Sequence, residues 1–291
     1  MTRSNEAELR VLALCPEAGT ESGKSARPHR QGIEMRILVT NDDGIHGKGF
    51  ESLVRALSAL GEVYVVLPDR QRSTTSHSMT LDKPLRIQKL EENKFLVNGT
   101  PSDCVRLGIL GLMKEDVELV VAGINNGPNL GDDVNYSGTV GAALEGTLLE
   151  VPSFAMSLVV TGGYHFEVAA NFGRFLAERI IQQGLPKNVY LNVNIPDLPL
   201  EEIKGVEITR QGKRIYGKEI QERTDPRGEK YYWIAGENIS GISEEGTDIA
   251  AIEHNKISIT PLSLDRTDYP TIEALKKWNL NWKNAPRGEL T

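Results

Sequence analysis

Two adjacent carboxylates follow the first strongly apolar segment of the chain. Asn41, Asp42, Asp43 and Gly44 come directly after residues 36–40, whose apolar run predicts a buried parallel strand. In open α/β sheets the ligand crevice lies at the carboxyl ends of the strands, so both carboxylates are expected to face it. Hard divalent cations such as Mg²⁺ and Mn²⁺ prefer oxygen ligands. The motif therefore favours a metal site; the alternative interpretation is a solvated turn, for which these residue types are also suited.

Hydroxyl and guanidinium groups follow the second predicted strand, residues 63–67. The next segment, residues 68–78, reads PDRQRSTTSHS. Arginine beside serine and threonine is typical of a loop that binds phosphate, and a flexible linker is the alternative. His77 in this segment and His46 after the first strand are the histidines placed to protonate a leaving alkoxide. We interpret both as surface or supporting residues, because a single histidine in a loop more often has that role.

A glycine-rich segment, residues 123–138, follows the third predicted strand, residues 119–122, and ends where a helix is predicted to begin. The free N–H groups and the positive dipole end of a helix N-terminus form a ready anion site. Glycine in the sequence Ser137-Gly138-Thr139 lets a phosphate approach the backbone closely. We therefore expect Ser137, Gly138 and Thr139 to bind phosphate. A capping role for the serine or the threonine is an equally good interpretation and is compatible with phosphate binding.

The elements that position these motifs predict an α/β fold with a Rossmann-like, mainly parallel sheet in residues 35–200. Apolar runs and helical spacing alternate along this part of the chain, as in a doubly wound sheet. Strands are predicted at 36–40, 63–67, 119–122, 154–158 and 189–193, and helices at about 50–60, 139–150 and 167–183. Three consecutive strand ends thus bring carboxylates, hydroxyls with arginines, and a glycine-opened helix to one crevice.

The two ends of the chain differ from this core. Residues 201–291 contain β-rich segments between polar turns and a final helix near 271–278, which predicts a C-terminal β-hairpin and helix extension. Protruding hairpins of this kind often pair between subunits, so the extension is expected to take part in oligomerisation. Residues 1–34 lack sustained periodicity. We expect them to be disordered, with Met35 as the true start; a short ordered helix is the alternative.

Composition and charge narrow the class of protein. The chain has 291 residues, of which 39% are hydrophobic and 25% charged, values that exclude disordered and disulfide-rich classes. Its net charge of −7 argues against a nucleic-acid polymer as the main partner. No apolar run approaches the roughly 18 residues of a membrane span, so no membrane partner is expected. Two cysteines form neither a disulfide framework nor a zinc site, and the polar first residues do not read as a signal peptide, so we expect a cytoplasmic protein.

Several separated motifs, in this order, resemble the SurE family of metal-dependent 5′-nucleotidases. They are RILVTNDDGI at 36–45, PDRQRS at 68–73, GTPSDCV at 99–105, GINNGPNLG at 123–131, YSGTV at 136–140, NVNIP at 192–196 and SITPL at 258–262. The resemblance covers residues 35 to about 264. It implies one divalent cation per subunit, Mg²⁺ or Mn²⁺, held by Asp42, Asp43, Ser73 and Asn125.

The same resemblance implies a substrate and an assembly. It implies hydrolysis of nucleoside 5′-monophosphates in the cytoplasm by homodimers or homotetramers built with the C-terminal extension. Asp42 and Asp43 are the predicted catalytic residues. One of them is expected mainly to bind the metal, while the other orients or deprotonates the attacking water or attacks phosphorus itself; the sequence does not assign which has which role. Asn41 is expected to contact the phosphate with the Ser137-Gly138-Thr139 segment.

Other functions stay open on the sequence alone. A phosphatase of broader range would also accept 3′-nucleotides or short polyphosphate, because these esters and anhydrides yield to the same metal chemistry. A nucleotide-binding regulator with little turnover is less favoured, since no ligand implied by the resemblance is missing. A kinase is disfavoured because the sequence contains no G-x-x-x-x-G-K-[ST] motif.

Overall fold

The computed structural model describes residues 35–114, 116–217, 219–234 and 240–280, and the expectation for residues 1–34 lies outside them. The strands are β1 Met35–Thr40, β2 Gly61–Pro68, β3 Ile87–Glu91, β4 Lys94–Val97, β5 Leu119–Asn126, β6 Ser153–Val159, β7 Val189–Pro196, β8 Val206–Ile208, β9 Lys213–Ile215, β10 Ile220–Thr224, β11 Lys230–Ile234, β12 Ser240–Ile242 and β13 Ile257–Ser263. The helices are α1 Phe50–Leu57, α2 Pro101–Arg106, α3 Gly138–Leu148, α4 Phe166–Gln183, α5 Asp248–Glu253 and α6 Tyr269–Lys276. None of the helices in the described ranges is long and apolar enough to cross a membrane.

Nine strands form one sheet in the order β3-β4-β2-β1-β5-β6-β7-β13-β8. The six strands from β4 to β7 run parallel to one another, whereas β3 and β13 are antiparallel to their inner neighbours. This arrangement confirms the predicted α/β fold with a mainly parallel core. Because β1, β2 and β5 are parallel, their carboxyl ends meet at one edge of the sheet.

Both faces of the sheet are covered, which explains the continuous apolar runs of its central strands. In β1, Ile37 and Val39 lie in the core under α1 and α4, whereas Leu38 lies in the core under α2 and α3. Successive side chains of a strand point to opposite faces, so a strand with helices on both sides needs apolar residues at every position. This burial holds β1 rigidly and thereby positions the loop that follows it.

The region after residue 200 contributes to the main sheet as well as to separate hairpins. Strand β13 pairs antiparallel with β7, and β8 pairs with β13, so both extend the central sheet. The remaining strands of this region form two small sheets, β9 with β12 and β10 with β11. Residue 200, where the sequence texture changes, therefore does not separate the central sheet from everything that follows.

Four loops leave the carboxyl ends of the parallel strands and are named here in chain order. They are the first loop (residues 41–49, after β1), the second loop (69–86, after β2), the third loop (127–137, between β5 and α3) and the fourth loop (160–165, between β6 and α4). Strand β5 continues to Asn126, four residues past its predicted end, so Asn125 lies on the strand instead of in a loop. The residues with predicted chemistry are distributed over these loops and the adjoining ends of β5 and α3.

Candidate metal and phosphate site

The first loop is closed by the side chain of Asn41. Its Nδ2 donates to the Gly44 carbonyl and its Oδ1 accepts from the Gly44 N–H, both at 2.9 Å. Gly44 has φ +71, and a Cβ there would lie 3.1 Å from the Pro68 carbonyl oxygen, so the turn requires glycine. The sequence predicts a phosphate contact for Asn41. These two bonds shape the turn that presents the two carboxylates, and the second hydrogen of Nδ2 is left for the predicted phosphate contact.

Asp42 is a buried carboxylate with one strong hydrogen bond. The Thr139 hydroxyl at the start of α3 donates to Asp42 Oδ1 at 2.5 Å. Burial raises the pKa of Asp42 to about 6; the Thr139 hydrogen bond opposes this rise and the charge of Asp43 adds to it. A carboxylate with such a raised pKa is stabilised in its charged form by a nearby cation.

Asp43 presents an oxygen that has no partner among the described residues. Its Oδ2 is buried without a hydrogen bond. Burial raises the pKa of Asp43, and a hydrogen bond from the Asn126 backbone lowers it in part. An unpartnered buried carboxylate oxygen costs stability unless a ligand compensates it. Together with Asp42, this atom is what a hard divalent cation requires.

The start of α3 lies against both the first and the second loop. Ser137 is the N-cap of α3, and its hydroxyl accepts from the Val140 N–H at 3.1 Å. A Cβ added to Gly138 would lie 2.8 Å from Thr75 Oγ1 and 3.3 Å from Asp42 Cβ. The predicted convergence of three strand ends is therefore present at Gly138, where only a hydrogen fits between the loops and the helix backbone. The helix N-terminus and the carboxylates share one site.

The second loop is fixed to its neighbours by its backbone. The Arg72 N–H donates to the Asp42 carbonyl at 2.6 Å, and the Ser76 N–H donates to the Tyr136 carbonyl at 2.9 Å. Ser73 lies between these two anchors and is exposed, with its hydroxyl accepting from Gln71 Nε2 at 2.9 Å. An oxygen atom of Ser73 thus remains accessible, one residue after the backbone bond that joins Arg72 to Asp42.

Asn125, at the end of β5, has its amide nitrogen occupied. Nδ2 donates to the Gly127 carbonyl at 2.9 Å. This bond sets the orientation of the side-chain amide and leaves Oδ1 as the atom that can bind a cation. The four residues implied as ligands therefore supply two carboxylates, one hydroxyl and one amide oxygen. This oxygen-only donor set fits Mg²⁺ or Mn²⁺.

A buried group of asparagines holds the third loop. Asn194 binds the backbone of Asn129 twice, accepting from its N–H at 2.9 Å and donating to its carbonyl at 3.0 Å. Asn192 donates to the same carbonyl at 2.8 Å, and Asn129 Nδ2 donates to the Ser157 hydroxyl at 2.7 Å. The available signal was the pair of amides two residues apart in the otherwise apolar strand β7, which places both on one face.

A second buried carboxylate, Glu145 on α3, connects three elements. His77 of the second loop lies 2.7 Å from Glu145 Oε2, and Arg106 of α2 donates to Oε1 at 2.6 Å. Burial raises the pKa of Glu145, but the hydrogen bonds and charges of His77 and Arg106 outweigh burial, so the net pKa is lowered. These residues form the Glu145 cluster (His77, Arg106 and Glu145), in which His77 supports the second loop. His46 is exposed in the first loop.

The fold is α/β, and the carboxylates of Asp42 and Asp43 meet the N-terminus of α3 at the carboxyl edge of its parallel sheet. The family model described as "Survival protein SurE" matches residues 37–218. The "5′-nucleotidase SurE" of Geobacter sulfurreducens is 50% identical over 248 residues, which are 85% of this chain and 95% of that protein. The protein of the same name from Geotalea uraniireducens is 49% identical over 247 residues, covering 84% of this chain and all of its own length.

A solved structure agrees with these sequence matches. The crystal structure of the SurE protein from Aquifex aeolicus superposes with a TM-score of 0.75 at 42% sequence identity, covering 84% of this chain and 99% of that one. The chain belongs to the SurE family. The resemblance predicted from the separated motifs is therefore confirmed.

Proposed function

We propose that this chain is a divalent-metal-dependent phosphatase that hydrolyses nucleoside 5′-monophosphates to nucleoside and phosphate. The observation that carries the proposal is the buried Asp42 beside Asp43, whose buried Oδ2 is unpartnered, at the N-terminus of α3. Relatives named 5′-nucleotidase SurE, about half identical over nearly their whole length, support the same reaction.

One cation per subunit, Mg²⁺ or Mn²⁺, is proposed to be held by Asp42, Asp43, Ser73 and Asn125. When bound, such a cation withdraws charge from phosphoryl oxygens and lowers the pKa of a coordinated water. Two of the four donors are neutral, so the cation stays more electrophilic toward the phosphate than it would be with four carboxylate ligands. The raised pKa values of the two carboxylates support this assignment, because a cation is the partner that their charged forms lack.

The residues of the chain then have separate tasks. Gly138 and Thr139 present the free N–H groups of the helix N-terminus to the phosphate, and Ser137 caps the same turn. Asp42 is held in place by Thr139, whereas Asp43 has the free oxygen. We therefore assign orientation and deprotonation of the attacking water to Asp43. Burial of the pair keeps bulk water from screening these charges.

We further propose that the hairpin of β10 and β11 forms contacts in a homodimer or homotetramer. Its apolar side chains are exposed on both faces of a two-stranded sheet, which is marginal as an isolated unit. The exposed residues are Ile220, Tyr231, Tyr232, Trp233 and Ile234. A cytoplasmic location is part of the same proposal and rests on the cysteine usage of the sequence.

The proposal is tested by phosphate release from a panel of substrates. The purified chain is incubated with 5′- and 3′-nucleoside monophosphates, short polyphosphate and an aryl phosphate, with Mg²⁺ or Mn²⁺ and then with EDTA. We expect release that requires metal and is fastest with 5′-nucleotides. Equal rates on all substrates would indicate a phosphatase of broad range in place of a specific nucleotidase. Absence of release from every substrate in a folded sample would contradict enzymatic function.

A further inference from the structure

Tyr164, in the fourth loop, is an aromatic residue that the fold leaves half exposed at the carboxyl edge of the sheet. Its side chain is 47% exposed and it has φ +55, a left-handed conformation that is uncommon for a non-glycine residue. Its ring stacks at the side of the buried Phe166 ring, with centroids 6.4 Å apart. Neither the core nor the site described above uses the exposed face of this ring.

The fourth loop is held in one conformation by a single carboxylate. Asp197, which follows β7, accepts backbone hydrogen bonds at 2.8 to 3.1 Å from five consecutive residues of the loop. These donors are Thr161, Gly162, Gly163, Tyr164 and His165. The carboxylate itself is buried. Because its N–H groups are fixed in this way, the loop presents the Tyr164 ring as a rigid surface. Little conformational entropy of the loop is then lost when a ligand binds.

The first loop packs against the elements that flank the ring. A Cβ added to Gly47 in the first loop would lie 2.9 Å from Asp43 Cβ. A Cβ added to Gly49 would lie 2.7 Å from Phe166 Cδ1 and 2.8 Å from Ile124 Cβ, so the start of α4 packs directly on the first loop and on the residue before Asn125.

Lys48 connects the first loop to Tyr164. It lies between Gly47 and Gly49, five residues after Asp43, and its Nζ is 4.2 Å from the centroid of the Tyr164 ring. The loop that carries the two carboxylates therefore also contacts the ring of the fourth loop.

We propose that Tyr164 and Lys48 bind the base of the nucleotide and so determine the preference for nucleotides over other phosphate esters. The base stacks on Tyr164 in place of the Lys48 ammonium, which moves off the ring and donates to acceptor atoms on the base edge. This inference rests on the proposed function, since it concerns the same crevice. Stacking accepts any base, so the pair selects for a base without selecting strongly among bases.

A second exposed tyrosine lies in the third loop. Tyr136 precedes the N-cap of α3, is 58% exposed and meets Tyr216 edge to face at 6.4 Å. No cation lies over its ring among the described residues. Tyr164 is the better base-binding surface because its loop is fixed and a cation already accompanies the ring.

The test compares adenosine 5′-monophosphate with ribose 5-phosphate, which is the same sugar phosphate without the base. For Tyr164→Ala we expect the KM for adenosine 5′-monophosphate to rise about tenfold, with kcat changed less than twofold. The KM for ribose 5-phosphate, or its inhibition constant if turnover is slow, should change less than twofold. Tyr164→Phe keeps the ring and should restore the wild-type KM.

Phe175 on α4 provides a matched control. It is also 47% exposed and has a cation over its ring, with Arg179 Cζ 5.2 Å from the centroid, but it lies nine residues beyond Phe166, away from the carboxyl edge. Phe175→Ala should leave the kinetic constants for both substrates unchanged. It separates loss of the base-binding surface from a general effect of removing an exposed aromatic ring.

The outcomes separate this inference from the proposed function. Three results would overturn the inference without contradicting the proposed nucleotidase activity. The first is an equal loss on both substrates in Tyr164→Ala, and the second is no change on either. The third is a base-selective loss in Tyr136→Ala in place of Tyr164→Ala. A wild-type protein that releases no phosphate would contradict the proposed function. Calorimetric affinities of the wild type and Tyr164→Ala for adenosine 5′-monophosphate would then still decide the role of Tyr164.

Discussion

The crevice and the β10–β11 hairpin differ in whether their residues find partners within the same chain. In the crevice, Asp42 is bonded to Thr139, and the second loop is bonded to both the first and the third. In the hairpin, Tyr232 and Trp233 are more than half exposed and contribute to no core cluster of the described residues. The comparison shows that one chain organises the candidate site by itself. The hairpin presents apolar surface suited to a contact with another chain.

The largest effect should come from removing charge inside the crevice. Asp42→Asn or Asp43→Asn is expected to lower kcat at least a thousandfold, because each change removes a proposed metal ligand and catalytic carboxylate. Thermal stability should be unchanged or higher, since burial disfavours both charged forms and raises their pKa values. Steady-state kinetics and a thermal melt of each variant measure the two effects.

Asp116 supplies the control for this experiment. It lies just before β5, at the opposite edge of the sheet, and pairs with Arg36 at 2.8 Å. Asp116→Asn should keep wild-type kcat. Near-normal turnover in both crevice variants would contradict the proposal that the crevice is the active site.

Asp197 should give the next largest effect, on stability. Asp197→Asn replaces an acceptor of five backbone N–H groups by an amide whose NH₂ group cannot accept, and we expect a loss of about 3 kcal/mol at pH 7. The free energy of unfolding, from urea titration, measures this loss. A variant as stable as the wild type would contradict the rigid fourth loop.

The pH dependence of that loss follows from the pKa of Asp197. Burial raises this pKa, but the backbone N–H groups of His165, Thr161 and Tyr164 outweigh burial and hold it well below its usual 3.8. Because the folded-state pKa lies below the unfolded-state one, the carboxylate contributes its full stability above about pH 4 and loses it as the pH falls further. The difference between wild type and Asp197→Asn should shrink below pH 4. A constant difference down to pH 2 would show that the charge is not responsible.

The Glu145 cluster should give a smaller loss. Glu145→Gln is expected to reduce the free energy of unfolding by about 2 kcal/mol, less than for a fully buried pair because Arg106 and His77 are partly solvated. The affinity for Mn²⁺ should fall as well, since His77 holds the loop that contains Ser73. Glu178→Gln breaks an exposed pair with Arg174 on α4 and should cost less than about 0.5 kcal/mol. Equal losses in the two variants would contradict the special role of the cluster.

The smallest effect on the stability of a single chain should come from the hairpin. Tyr231 and Trp233 lie on one face of β11, and Trp233→Ser should change the free energy of unfolding of the monomer by less than about 0.5 kcal/mol. Sedimentation at micromolar concentration should instead show weaker association. An unchanged oligomer in the double variant Tyr231→Ser, Trp233→Ser would exclude the hairpin from the interface.

The sequence predicted the central elements well, because a strand that is buried on both faces has a continuous run of apolar residues. The runs at β1, β2, β6 and β7 are apolar at nearly every position, and the structure has strands there. Convergence of the predicted Asp42 and Thr139 followed from the parallel arrangement alone. The position of β13 in the central sheet was not predictable in this way, because a short apolar run does not show which sheet a strand joins.

Supporting contacts were beyond sequence reasoning because they join distant residues. Glu145 meets His77 across 68 positions and Arg106 across 39, and Asn129 meets Asn194 across 65. No local pattern encodes such pairs. Asn41 shows the opposite case, since its amide binds the backbone of Gly44, only three residues away.

The most direct test of the central claim is calorimetric titration of Mn²⁺ into the EDTA-treated and desalted protein, in the wild type and in the double variant Asp42→Asn, Asp43→Asn. We expect one Mn²⁺ to bind per wild-type chain, and at least a hundredfold weaker binding in the double variant. Absence of binding in the wild type, or equal affinity in both proteins, would contradict a metal site at these two carboxylates.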